Sequence, residues 1–241
     1  MSRTFEIETN PYDDKKVLYK SKTATFEPGI TVLVGCNGSG KTTMINTVHS
    51  LCKEQNIPVI RFNKLIEGGV NSRQRWLDEG NYDFLCTSAT SSEGENIVLS
   101  MNEQASRTGY FVKYGVDPSK KARLERVFRE SISGKKADKK DDKAELINER
   151  WVLFDAIDSG LSVDNIVEIK EYFFKTMMKN TFGNDVYCLV VANEYEMCNG
   201  EQCFDVRNCK YVTFKDYEDY RKFILKSREI KDKRLNVPKE D

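Results

Sequence analysis

Gly35-Cys36-Asn37-Gly38-Ser39-Gly40-Lys41-Thr42 is the stretch on which the reading of this chain turns. It has the form G-x-x-x-x-G-K-T, a loop that cradles phosphate when it joins a strand to a helix. Both flanks fit. Ile30-Thr31-Val32-Leu33-Val34 is a short β-branched run that reads as a buried strand. From Thr42 onward, Met44, Ile45, Val48 and Leu51 recur at helical spacing, predicting a helix over residues 42–53. Glycines at 35, 38 and 40 let backbone N–H groups close around a phosphate where a Cβ would collide. The helix N-terminus adds partial positive charge at the same point. Lys41 is placed to reach the β- and γ-phosphates, and the Thr42 hydroxyl to ligate Mg²⁺.

Bulk properties set the frame. A length of 241 residues fits one large domain or two small ones. Lys plus Arg and Asp plus Glu both number 38, so zero net charge argues neither for nor against nucleic acid. No apolar run is long enough to span a membrane, and no apolar leader core follows Met1, so the expectation is a soluble cytoplasmic protein. The seven cysteines are unevenly spaced and several lie in strand-like runs, which fits reduced thiols. Cys198, Cys203 and Cys209 cluster loosely, without the paired C-x-x-C spacing of a zinc hook.

Around the loop, residues 4–8 and 16–26 read as two strands of an N-terminal hairpin, with Tyr12 or Tyr19 available to stack on a base or simply to pack. Residues 57–62, 151–155, 186–192 and 210–214 read as further strands. A helix opens at Ser92-Glu93-Gly94-Glu95 and runs to about Thr108, with Gly109 as its C-cap. Ser92 and Glu95 form a capping box. That leaves Gly94, a costly residue in a first turn unless something approaches the backbone closely. Further helices are predicted over residues 163–179 and 216–230. Residues 134–143 carry five lysines in a charged run, read as a solvated loop, with contact to nucleic acid as the other reading. Trp151-Val152-Leu153-Phe154-Asp155 is an apolar strand ending in a carboxylate, placed to face the phosphate loop and hold Mg²⁺.

Taken in order, the pieces resemble a soluble ATP-binding-cassette (ABC-type) ATPase, similar to the heads of SMC and RecF-type proteins. The motifs are GCNGSGKTT, SSEGE, WVLFD and SGLS, spanning roughly residues 23–193. The resemblance implies an α/β P-loop NTPase fold. Its mostly parallel sheet would be flanked by helices, with a small N-terminal antiparallel β region. One domain would cover residues 1–241, with a charged insertion at about 115–149 and a charged tail from about 231. It implies ATP and Mg²⁺ as cofactors. Asn37, Gly38, Ser39, Gly40, Lys41, Thr42 and Thr43 would bind ATP in one subunit, and Ser92, Gly94 and Glu95 would bind it across a dimer. Thr42 and Asp155 would hold the metal. The chain departs from the family at two points. Where a glutamate normally polarises the attacking water there is Ala156, with Asp158 the nearest carboxylate. Where a histidine normally senses the γ-phosphate there is Asn193, which cannot take a proton at neutral pH. Lys41, Asp158 and Asn193 are therefore the expected catalytic set.

Three functions follow. The first is an ATPase that forms a homodimer around two nucleotides to engage a nucleic-acid or protein partner. The second is a clamp that binds ATP and hydrolyses it slowly or not at all, which Ala156 favours. The third is a P-loop small-molecule kinase, against which the SSEGE segment argues. A link to DNA repair or to a bacteriophage rests on the resemblance alone, and no membrane partner is expected.

Overall fold

A computed structural model describes residues 1–12, 17–63, 93–117, 125, 128, 131, 132, 147–158 and 161–235. Two short strands, β1 (Arg3–Glu6) and β2 (Thr23–Phe26), pair antiparallel. The main sheet then forms from β3 (Gly29–Val34), β4 (Val59–Asn63), β5 (Glu149–Asp155), β6 (Asp185–Val191), β7 (Gln202–Asp205) and β8 (Lys210–Val212). Its order is β4-β5-β6-β3-β7-β8, and every pairing is parallel except β7 with β8. The fold class is thus α/β, with a mostly parallel sheet and a small antiparallel one beside it.

The helices that frame the sheet include α1 (Lys41–Glu54), α2 (Glu93–Tyr114), α3 (Val163–Glu168), α4 (Lys175–Lys179), α5 (Tyr195–Cys198) and α6 (Tyr217–Leu235). A π-helical segment, Ile169–Phe174, joins α3 to α4 without a break. Strand periodicity sorts the core into two layers. Leu33, Trp151, Leu153, Leu189 and Val191 point to one face, where Met44, Ile45 and Val48 of α1 and Phe5 and Phe26 of the small sheet cover them. Val32, Val34, Phe62, Val152, Phe154 and Val190 point to the other, against Phe111 of α2, Ile166 of α3, Met177 of α4 and Tyr220 of α6. Burying both faces is what a parallel sheet requires. Ligands of such sheets collect beyond the carboxyl ends of the strands. At that edge lie the loop after β3, Asp155 at the end of β5, and Asn193 just past β6.

The structure corrects several expected boundaries. Gly109 does not cap α2. The helix continues because Tyr110, Phe111, Val112 and Tyr114 carry its buried face on, which outweighs the roughly 1 kcal/mol cost of an internal glycine. Gly115, at φ 73°, ends it, with its N–H on the Phe111 carbonyl at 2.7 Å. The strand at 202–205 went unread because it is only four residues long and begins on Gln202. It nevertheless pairs with β3 and separates that strand from β8, which stops at Val212. The last helix runs to Leu235 instead of giving way to a tail at Lys231. Ser92 and most of the charged insertion lie outside the described residues, as does the side chain of Glu95 in the first turn of α2.

Candidate nucleotide site

The phosphate loop is built by backbone geometry. Gly35, Gly38 and Gly40 all have φ in the positive range, at 149°, 77° and 99°. At two of them the need for glycine is also one of space. A Cβ on Gly35 would stand 2.5 Å from Ser39 Oγ, and one on Gly40 would stand 2.8 Å from Leu18 Cδ2. Gly40 is also the N-cap of α1, and its carbonyl accepts from Met44 N at 2.8 Å and from Tyr19 Oη at 2.8 Å. Tyr19 is wholly buried, so it braces the loop from behind and does not face a base. Tyr12 is 61 % exposed and its hydroxyl meets Thr43 Oγ1 at 2.5 Å. Of the two tyrosines, Tyr12 is thus the one open to solvent beside the loop, and Tyr19 packs.

Lys41 is folded into the loop. Its Nζ donates to the carbonyls of Gly35 at 2.6 Å and Cys36 at 3.3 Å, and the residue is 6 % exposed. Burial pulls its proton affinity below that of an ordinary lysine. The nearby Cys36, Asp158, Cys198 and Asp155 oppose that pull. Thr42 Oγ1 donates to Asp155 Oδ1 at 3.0 Å, which closes the gap between the loop and the end of β5. Asp155 Oδ2 accepts from Arg61 on β4 at 3.0 Å. Sequence reasoning missed Arg61, since a lone arginine in an apolar strand carries no motif. Threonine hydroxyl and carboxylate are the oxygen donors a hard divalent cation takes, so the residues fit magnesium. Ser39 Oγ is buried with no partner among the described residues, and it lies in the cradle a phosphate would fill.

The segment after β5 has a different construction. Ala156 sits in the left-handed region at φ 57°. This turns the chain so that Asp158, 2 % exposed, points back at the loop following β6. Asp158 Oδ2 accepts from the backbone N–H groups of Asn193 at 2.5 Å and Glu194 at 2.7 Å. Its Oδ1 is buried and has no hydrogen-bond partner among the described residues. The Asn193 carbonyl accepts from Tyr220 Oη of α6 at 2.9 Å. The backbone of Asn193 is therefore held on both sides while its side chain stays exposed. Farther on, Lys170 of the π-helical segment is buried and donates to the carbonyls of Glu196 and Asn199, fixing the ends of α5.

The structure brings together Lys41, Thr42, Asp155 and Asp158, and it sets Asn193 against Asp158. It also brings in α6, including Lys231 and Arg234, which were expected in the tail. Cys36 N donates to Ser227 Oγ at 3.2 Å, Lys231 Nζ to the Asn37 carbonyl at 3.1 Å, and Arg234 Nη2 to the Gly38 carbonyl at 3.4 Å. A helical period carried from Tyr220 through Ser227, Lys231 and Arg234 was the signal available for them.

No protein-family model and no curated protein matches the chain. Among solved structures the chain is similar to the ADP conformation of MJ1267, an ATP-binding cassette of an ABC transporter. The two are 14 % identical with a TM-score of 0.46, over 96 % of this chain and 98 % of that one.

Proposed function

We propose that the protein is an ABC-type ATP-binding protein that hydrolyses ATP slowly and closes as a homodimer around Mg-ATP to engage a partner. The observation that carries this reading is the 3.0 Å contact between Thr42 Oγ1 and Asp155 Oδ1 beside the buried Lys41. A loop hydroxyl and a strand-end carboxylate, far apart in sequence, converge beside a lysine folded into a glycine loop. Asn37, Gly38, Ser39, Gly40, Lys41, Thr42 and Thr43 would hold the phosphates, Thr42 and Asp155 the magnesium, and Tyr12 the base. Bound magnesium would neutralise charge on the phosphate oxygens. Lys41 would leave its two carbonyls for the phosphates, and Arg61 would give up its share of Asp155.

Slow hydrolysis follows from the segment after β5. Ala156 offers only a methyl group where water must be polarised. Asp158 spends one oxygen on Asn193 and Glu194, and its other oxygen is buried without a hydrogen-bond partner among the described residues, where it would be the one carboxylate oxygen left for water. Lacking a positioned general base typically costs about 10²–10⁴ in rate. Asn193, with its backbone fixed from two sides, would orient water or the γ-phosphate through its amide.

Dimerisation would run through Ser92, Gly94 and Glu95, which would complete the partner's nucleotide site in an isologous contact. Glu93 opens α2, so Gly94 lies in the first turn, where helix N–H groups are uncovered. Light scattering with ATP, with ADP and without nucleotide tests the reading. A dimer with ATP alone, lost in Ser92→Arg, is expected. A monomer under all three conditions would leave residues 92–95 as a capping box only.

A further inference from the structure

Helix α6 touches the site at both ends. Near its start, Tyr220 donates to the carbonyl of Asn193 at 2.9 Å. Near its end, Ser227, Lys231 and Arg234 meet Cys36, Asn37 and Gly38 in order. The four side chains lie at steps of seven, four and three residues, which places them on one stripe of an α-helix. The body of Lys231 also packs on the loop, with its Cδ 3.4 Å from where a Gly38 Cβ would be. The Arg234 guanidinium lies close enough to Arg207 to depress that group's proton affinity, second to burial as a cause. Lys231, Arg234 and Arg207 thus gather positive charge at the outer side of the phosphate loop.

We propose that α6 is a brace of the phosphate loop, and that Lys231 and Arg234 are positioning residues for the nucleotide. This deepens the ATP-binding reading and rests on it. The reason is peptide geometry. A trans peptide carries its C=O and the next N–H on opposite sides. Fixing the Asn37 carbonyl on Lys231 turns the Gly38 N–H away from α6, toward the cradle. Without that hold, a loop rich in glycine samples many backbone states, and the nucleotide must order it on binding. The two cations also add positive potential beside the phosphates. The alternative is that Lys231 and Arg234 only satisfy the carboxyl end of their own helix.

The test uses the full chain. One variant carries Lys231→Ala with Arg234→Ala. A control carries Lys226→Ala with Lys233→Ala, which removes two exposed charges from the same helix but away from the stripe. Amide hydrogen exchange is followed in nucleotide-free protein, and affinity for ATP and ADP is measured by calorimetry. In the first variant, exchange at residues 36–40 should speed up, and affinity for both nucleotides should fall about tenfold, as for one lost charge-assisted contact. The control should match the wild type in both measurements. Unchanged exchange in the first variant overturns the brace. Faster exchange with unchanged affinity overturns the positioning role, as does an equal loss in the control. A wild type that binds no ATP refutes the function proposed above and the positioning role with it, whatever the exchange shows.

Discussion

Two loops at the same edge of the sheet are made in opposite ways. The loop after β3 takes its turn from local sequence, with three glycines, a lysine and a helix start within seven residues, and α6 and Tyr19 hold the turn from outside. The segment after β5 owes its shape to distant chain. Asp158 is held by Asn193 and Glu194, and Asn193 by Tyr220. The first loop can be recognised from a string of letters. The second exists only once β5, β6 and α6 have come together.

The sharpest break comes from Lys41→Ala. It removes the only lysine of the local loop, and ATP binding should vanish by calorimetry while the thermal melt is preserved. Surviving binding would mean the loop is not the nucleotide site.

Asp158 tests the distant construction. Asp158→Ala strands two part-buried N–H groups and should cost about 1–3 kcal/mol in denaturant unfolding. Asp158→Asn keeps an acceptor and should cost about half as much or less. Equal losses would mean the two N–H bonds are not what holds the loop after β6. In the Asn variant, the residual ATPase rate should also fall if Oδ1 handles water, and an unaffected rate would hand that role to Asn193.

A smaller effect is expected at Ala156. At φ 57° a side chain costs about 1–2 kcal/mol, whereas glycine loses up to about 1 kcal/mol through its freer unfolded chain. Ala156→Gly should therefore leave stability unchanged or raise it by about 1 kcal/mol. A clear loss would show that the left-handed turn carries no strain.

The mildest test is pH. Lys41 has a depressed proton affinity in the free protein, chiefly from burial, with Cys36, Asp158, Cys198 and Asp155 opposing it. Phosphates favour the charged form, so binding raises that affinity. ATP should bind at full strength below the free-protein pKa of Lys41 and weaken as pH rises through it, by up to about tenfold per unit. Affinity that stays flat until the ordinary lysine range, at about 10.4, would place Lys41 in a wetter setting.

These contrasts explain what was legible. The strand, loop and helix at residues 30–54 could be read because apolar period and glycine placement are local. Asp155 was legible as the end of an apolar run, and its meeting with Thr42 fitted the motif order. Asp158 was found as a carboxylate, but its bonds to the backbone after β6 have no sequence signature. Arg61 was missed because its partner lies on the neighbouring strand. Gly109 misled because propensity was read without the packing that overrides it. Lys231 and Arg234 were misread because a run dense in lysine and aspartate looks like solvated tail, and only Tyr220 and Ser227 align the stripe. The antiparallel hairpin was anticipated, though β1 and β2 are shorter than their alternating runs.

The π-helical segment between α3 and α4 bears on insertions and deletions. A turn of this kind is what an α-helix becomes when it absorbs one surplus residue without shifting its ends. Removing a residue between Ile169 and Phe174 would let the segment relax to α-helix with α3 and α4 still in register, so only the side chains inside the segment would be turned. Lys170 would swing off the carbonyls of Glu196 and Asn199, and the loop that carries Asn193 would lose its anchor. The length of this helix is therefore locked to the loop beyond β6, and a descendant that lost the residue would have to rebuild that loop as well.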